Sequence, residues 1–337
     1  LFVPSREEMG VIVCPHENIL ENVTADCPDV VGFSVEELNT GATVERGGVI
    51  ARLLEYGTED ERFMIMNLSG SGVQENVAGC GAVLGTIGQN YSLAKNIASS
   101  SYYTCLTINA TNVTLDCRGF NITYANSGVG AGINISKANN VRIHNCDVRQ
   151  YAVGTAQSNS PGILLQFSNN TIIENTTVFT NGSTSVGIYM DDKSNYNIIT
   201  NVSIQVAGGN GIELYGTNNV INYSRIVMAY RTGSTGVYLN NENNSIDHNV
   251  INGTDSGYGV LVFADRNNIT ANRIVVGESP SYGISVDSNN NTIRGNNISV
   301  KSFSLGSSGI FINGVDYNMI YNNTFQNVTG AAIHFYS

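Results

Sequence analysis

The chain has 337 residues, a formal net charge of -11 and only 13% charged residues, with six Cys, seventeen Tyr and no Trp. So acidic a balance supplies no basic stripe to neutralise phosphates, and nucleic acid is excluded as an expected partner. No apolar run has the eighteen or more residues of a spanning helix, so no direct membrane span is expected, and any anchor would be a lipid or another protein.

Charge divides the chain. Residues 1–79 hold fourteen Asp and Glu against four Arg, a net of -10, whereas the remainder holds thirteen acids against twelve bases, a net of -1. This predicts a small acidic domain over 1–79 and a second domain over 80–337. Short apolar runs at Gly10–Cys14, Val30–Phe33, Val49–Tyr56 and Arg62–Leu68 make the first domain β-rich. Leu53–Tyr56 and Arg62–Met66, joined by Gly57-Thr58-Glu59-Asp60, have the pattern of a hairpin, although Val49–Leu54 also fits a short helix. So few residues build only a small core, and this domain is expected to lean on a partner. The opening Leu1-Phe2-Val3-Pro4-Ser5 is too short for a signal peptide, so an upstream targeting segment is expected to have been removed.

The second domain repeats. Gly132, Gly162, Gly187, Gly211, Gly236, Gly259, Gly283, Gly309 and Ala332 recur at steps of 23 to 30 residues. Each is followed by Ile or Val, and two positions later by an apolar residue such as Ile135, Met190, Leu214 or Phe335. Period-two alternation at such a spacing predicts an inward-facing strand ladder in stacked coils. About ten residues on, an Asn precedes an Ile by two: Asn170, Asn219, Asn244, Asn291 and Asn318. A further Asn follows three residues past that Ile, at Asn175, Asn249, Asn296 and Asn323. Asn tolerates left-handed backbone angles, and its amide both donates and accepts, so these residues predict turn ladders between coils.

With these columns the chain resembles the pectate-lyase-like superfamily, and in particular the secreted, Asn-rich NosD-like repeat proteins, over about residues 80–337. The stretch Leu106-Thr-Ile-Asn-Ala-Thr-Asn-Val-Thr-Leu-Asp-Cys-Arg-Gly119 is similar to the opening coil of many archaeal members. The resemblance implies an all-β, right-handed parallel β-helix of coils of roughly 23–30 residues, preceded by the small β-rich domain. It is specific for fold and weak for function, since the superfamily includes lyases, hydrolases, epimerases, phage spikes and inert surface proteins.

The cysteines agree with this register. Cys80 and Cys105 are 25 residues apart and Cys117 and Cys146 are 29 apart, each about one coil. Strands about 4.8 Å apart lie within the Cα separation a disulfide needs, so both pairs are expected to bridge, with Cys14 and Cys27 pairing in the N-terminal domain. The alternative, a metal site, lacks CxxC or clustered Cys/His spacing, and no metal or cofactor is expected. Disulfides imply an extracellular or cell-surface location. N-linked glycans fit the same location. Nineteen Asn-x-Ser/Thr acceptors occur, at Asn22, Asn67, Asn90, Asn109, Asn112, Asn121, Asn134, Asn169, Asn175, Asn181, Asn201, Asn222, Asn243, Asn252, Asn268, Asn290, Asn297, Asn322 and Asn327.

Outward positions of the first strand hold Tyr189, Glu213, Tyr238 and Phe311 two residues after the small residue, and Asp191, Tyr215, Phe263 and Tyr336 four after it. A lyase of this superfamily would need clustered Asp for calcium and an Arg or Lys base, and only Lys193 lies near this face. Of the hydrolase motifs only Asp191-Asp192 matches; His144 sits in Arg-Ile-His-Asn. The catalytic alternative is an inverting glycosidase pair, Asp191 and Glu213, at diagonal positions about 7 to 8 Å apart. The alternative for the pair is two solvated surface acids. His16, His144, His248 and His334 fall in different contexts, and Met64 and Met66 fit a core or interface, so copper ligation has no cluster behind it.

The last stretch, Gly330–Ser337, places Ile333 and Phe335 in core columns of an open rung. An uncovered rung predicts a neighbour. The leading expectation is a non-catalytic, glycosylated, disulfide-bonded filament or appendage subunit assembling head to tail, with Leu1–Val3 or Gly10–Val13 adding a strand to the open edge. Carbohydrate binding on the Tyr-rich face and glycan hydrolysis are the alternatives.

Overall fold

The computed structural model describes residues 74–336, apart from 100–103, 126–128, 152–158, 230–232, 254–256, 278–279 and 302–305, together with the backbone of six strands between residues 2 and 66. Cys14, His16, Asn22, Cys27 and Asn67 lie outside the described residues. The chain divides into two compact units, Leu1–Glu75 and Asn76–Ser337. In the first, Phe2–Ser5, Gly10–Val13 and Val31–Ser34 form one antiparallel sheet, and Val44–Arg46, Val49–Leu53 and Phe63–Met66 form another. Leu53 pairs with Phe63, so Val49–Leu53 is a hairpin strand and not the alternative helix, in keeping with its β-branched Val49 and Ile50.

The second unit is an all-β solenoid. Each coil of about 25 residues gives one strand to each of three parallel sheets, with eleven, eleven and ten strands. We name them first, second and third in the order the chain visits them. In the first sheet Ile133, Ile163, Ile188, Ile212, Val237, Val260, Ile284, Ile310 and Ile333 stand in one register column. All but Ile333 are fully buried. Matching columns of Ile and Val come from the other sheets, among them Ile221, Ile246 and Ile269 in the second and Ile226, Ile251 and Ile274 in the third. Each such side chain meets its own kind above and below, and its burial stabilises the rod by about 1.5–3 kcal/mol.

The recurrent glycine is set by close approach. Gly236 sits at the corner between the third and first sheets, where an added Cβ would stand 2.5 Å from the carbonyl oxygen of Gly259 and 2.5 Å from Cγ2 of Ile251. Gly162, Gly187, Gly211, Gly259 and Gly283 meet the same two obstacles. Ala332 takes this column in the last coil, where no described coil lies above it to collide.

Two buried Asn ladders tie the turns. In the first, the Oδ1 of Asn197, Asn219, Asn244, Asn267, Asn291 and Asn318 accepts, in each case, a backbone N–H from the same column one coil earlier, at 2.8–2.9 Å. In the second, Asn249, Asn272, Asn296 and Asn323 do the same, while their Nδ2 groups donate to carbonyls such as Ile221, Ile246, Ile269 and Ile293. Asn170 and Asn175 correct the sequence reading. Both are exposed left-handed turn residues (φ 55° and 47°), and the ladder positions beside them belong to Thr171 and Thr176. The buried second-sheet residue of that coil is Ile173, not Ile172, which moves the column by one. Thr176 serves the column by accepting from the N–H of Cys146.

Cys80 is bonded to Cys105 and Cys117 to Cys146, with Cα separations of 4.2 and 4.7 Å. Such bonds belong to oxidising, non-cytoplasmic compartments. Each closes a loop of about one coil, so reduction is expected to cost roughly 3 kcal/mol per bond. A thermal melt with and without reductant checks this; an unchanged midpoint would contradict it. At the other end, the strand Ala331–Tyr336 pairs in register with Ser308–Asn313, but Phe335 is 70% and Tyr336 60% exposed.

Candidate functional site

The outer face of the first sheet concentrates aromatic side chains because the coil register repeats them at rung spacing. Tyr189, Glu213 and Tyr238 share one outward column in consecutive coils, and Tyr215 and Phe263 stand two residues further along. Stacked at this pitch, the rings must touch. Tyr189 and Tyr215 have centroids 5.3 Å apart, Tyr215 and Tyr238 5.7 Å, and Tyr238 and Phe263 5.5 Å. A second stack continues towards the last coil through Tyr258, Tyr282 and Phe311, at 5.5 and 4.9 Å, with Tyr336 at 6.2 Å from Phe311. Tyr258 and Tyr282 were missed by sequence reasoning; their signal is an aromatic residue immediately before the recurrent glycine.

Glu213 lies within the first stack. Its Oε1 accepts from Nδ2 of Asn210 at 2.8 Å, and the Tyr215 hydroxyl also bonds it. Burial raises its pKa above the ordinary carboxylate value, against the lowering effect of these two hydrogen bonds. Burial, and then the Glu213 charge, push Tyr215 up to about 12. Tyr189 and Tyr238 are raised by the same two causes in the same order. Asn210 is a supporting residue that sequence reasoning did not single out.

Asp191 stands on the same face but has a separate employment. Its carboxylate accepts from the Phe167 N–H at 3.1–3.2 Å, the Lys193 N–H at 3.2 Å and the Ser194 hydroxyl at 2.7 Å, which closes the turn after its strand. Asp192 is exposed and paired with Lys193 at 3.1 Å. The two carboxylates of the glycosidase alternative are thus held in different hydrogen-bond networks.

The acceptor triplets are distributed unevenly. The seventeen in the described residues are all exposed or half-buried, whereas none of the eight fully buried Asn, among them Asn219, Asn244, Asn249 and Asn272, is the acceptor of a triplet. Asn109 and Asn134 lie on the outer face of the first sheet in early coils. The twelve that follow, from Asn169 to Asn327, lie in the turns and on the second and third sheets. Beyond Asn134, therefore, the outer face of the first sheet, where the aromatic stacks lie, carries no acceptor.

A family profile described as periplasmic copper-binding protein (NosD) matches residues 228–336. Among solved structures, a mutant tailspike protein of E. coli bacteriophage HK620 in complex with a hexasaccharide aligns with a TM-score of 0.50 at 11% identity, over 77% of this chain and 57% of that chain. The Dettilon tailspike protein aligns with a TM-score of 0.49 at 14% identity, over 78% and 60%. The periplasmic alginate epimerase AlgG aligns with 0.47 at 13%, over 71% and 68%. The chain spans less than two thirds of either tailspike, and no curated protein matches it.

Copper needs His, Cys or Met donors converging on one point. Here the described residues do not fit. His144 lies by Asp116 and Asn145, His248 bonds Asp247 at 2.6 Å and stacks on Tyr223, and His334 packs on Phe311. The four described Cys are in disulfides, Met190 and Met228 are core residues, and no group of three His, Cys, Asp or Glu converges among the described residues. The register columns and parallel sheets make Asn76–Ser337 a parallel β-helix, of which residues 228–336 match the NosD profile.

Proposed function

We propose that this protein is a secreted, N-glycosylated cell-surface rod, a right-handed β-helix that acts by binding a glycan along its first sheet and not by catalysis. The observation that carries this reading is the continuous stack Tyr189, Tyr215, Tyr238 and Phe263 on the part of the first sheet beyond Asn134, where no acceptor lies. Tyr rings offer apolar faces to sugar rings and hydroxyls to their edges, and the rung pitch gives each sugar a ring to rest on. Placing the chain's own glycans elsewhere keeps this surface open. The periplasmic description of the matching family and the two disulfides support an exported location.

A glycan array probed with the protein tests the reading. Tyr189→Ala or Tyr215→Ala is expected to weaken binding about tenfold or more, since Tyr215 touches both Tyr189 and Tyr238 and either change breaks the stack. Binding that survives both substitutions would contradict it. Release of reducing ends that is lost in Asp191→Ala would establish hydrolysis instead.

A second reading, end-to-end assembly into a filament, draws on the last coil, where Phe335, Tyr336, Met319 and Tyr321 are exposed. A further coil of the chain or another copy would cover these side chains. Electron micrographs of the purified protein would show filaments; monomers at all concentrations would count against it.

A further inference from the structure

The aromatic stack contains a charge, and that charge bears on which sugar it takes. Tyr189 and Tyr238 flank Glu213 directly in register, one coil before and one coil after, and Tyr215 bonds it from two positions along the strand. A carboxylate offers about four acceptor positions. Asn210 and Tyr215 fill two of those on Glu213. The carboxylate is flanked by the touching rings of Tyr189, Tyr215 and Tyr238, a setting in which an organic cation gains both a charge-assisted hydrogen bond and cation–π attraction. Asp191 and Asp192 add negative potential at one side, and Lys193, in the turn that follows, is already engaged by Asp192. A polyanionic glycan would therefore meet like charge along this stretch.

We propose that the glycan selected by this face carries free amines: a hexosamine polymer whose ammonium group seats on Glu213 between Tyr189, Tyr215 and Tyr238. This rests on the reading of the first sheet as a glycan-binding face. The raised pKa of Glu213 fits it, because a half-buried carboxylate with incomplete pairing is relieved by an incoming cation.

The test titrates the full chain with three oligomers matched in length: glucosamine, N-acetylglucosamine and galacturonate. The pH is set between the carboxylate and amine pKa values, and calorimetry is the readout. The glucosamine oligomer is expected to bind about tenfold more tightly than its acetylated counterpart, and galacturonate is expected not to bind. Glu213→Gln, close to isosteric, is expected to bring the two hexosamine oligomers to parity. Tyr215→Ala is expected to weaken both. Equal affinity in the unsubstituted protein, tighter galacturonate binding, or an amine preference that persists in Glu213→Gln would overturn the inference while leaving the binding face intact. If none of the oligomers binds, or if Tyr215→Ala has no effect, the face itself is misassigned and the inference falls with it.

Discussion

Gly236→Ala is expected to destabilise the rod by more than about 3 kcal/mol, the upper part of the range for overpacked cores. A methyl group at this corner collides with the carbonyl oxygen of Gly259 and with Cγ2 of Ile251, each 2.5 Å away. Ile251 cannot yield, because it is fully buried between Ile226 and Ile274 of the same column. The oxygen belongs to the backbone of the next coil, so moving it would disturb the pairing of Val260 with Val237 and Ile284. Gly79→Ala is the control: an added Cβ there meets nothing within 4 Å, and the change should stay within about 0.5 kcal/mol. Thermal or denaturant unfolding of the two variants separates the outcomes. Equal stability would mean that the corner is not as tight as described.

Asn249→Ala is expected to cost about 3–5 kcal/mol, although the side chain is polar and small. Its Oδ1 accepts from the buried N–H of Ser224 at 2.9 Å, and its Nδ2 donates to the carbonyls of Ile221 and Asp247 at 2.9 and 3.0 Å and to Oδ1 of Asn272 at 3.1 Å. Truncation leaves at least one donor and two acceptors short of partners in a dry turn, at about 1–3 kcal/mol for each group left unsatisfied. Asn249→Asp tests the donor half alone, since it keeps an acceptor for Ser224 and turns the Nδ2 position into a second oxygen facing carbonyls. Exposed Asn240→Ala should change stability by less than about 0.5 kcal/mol. A small loss at Asn249, comparable to that at Asn240, would contradict the ladder.

Much of this architecture was legible in the residue pattern, because a solenoid makes each core position repeat. The first-sheet column from Ile133 to Ile333 could be read directly, since small, β-branched and apolar residues recur in fixed order and the register follows them. The Asn ladders were legible only in the later coils. Each turn pairs a positive-φ residue with a buried, bonded one, Asn can stand at either position, and a run such as Asn169-Asn170-Thr171 does not say which is which. Thr171 and Thr176 standing in for Asn shifted the reading by one residue.

The aromatic face was legible in part. The outward columns named Tyr189, Glu213, Tyr215 and Tyr238, because alternation assigns faces. What alternation does not reveal is how each side chain is used. Asp191 and Glu213 are both outward acids, yet one closes a turn and the other lies among tyrosines, a difference set by Ser194 and Phe167 on one side and Asn210 on the other. That the first sheet carries no acceptor beyond Asn134 likewise emerged only when the triplets were placed on three sheets.

Under the proposed reading, the outer face of the first sheet is where the protein holds a glycan. An experimental structure of the full chain soaked with a hexosamine oligomer tests it most directly. Sugar density is expected to run parallel to the solenoid axis over Tyr189, Tyr215, Tyr238 and Phe263, with an amine against Glu213. Density confined to the second or third sheet, with those four rings left bare, would contradict it.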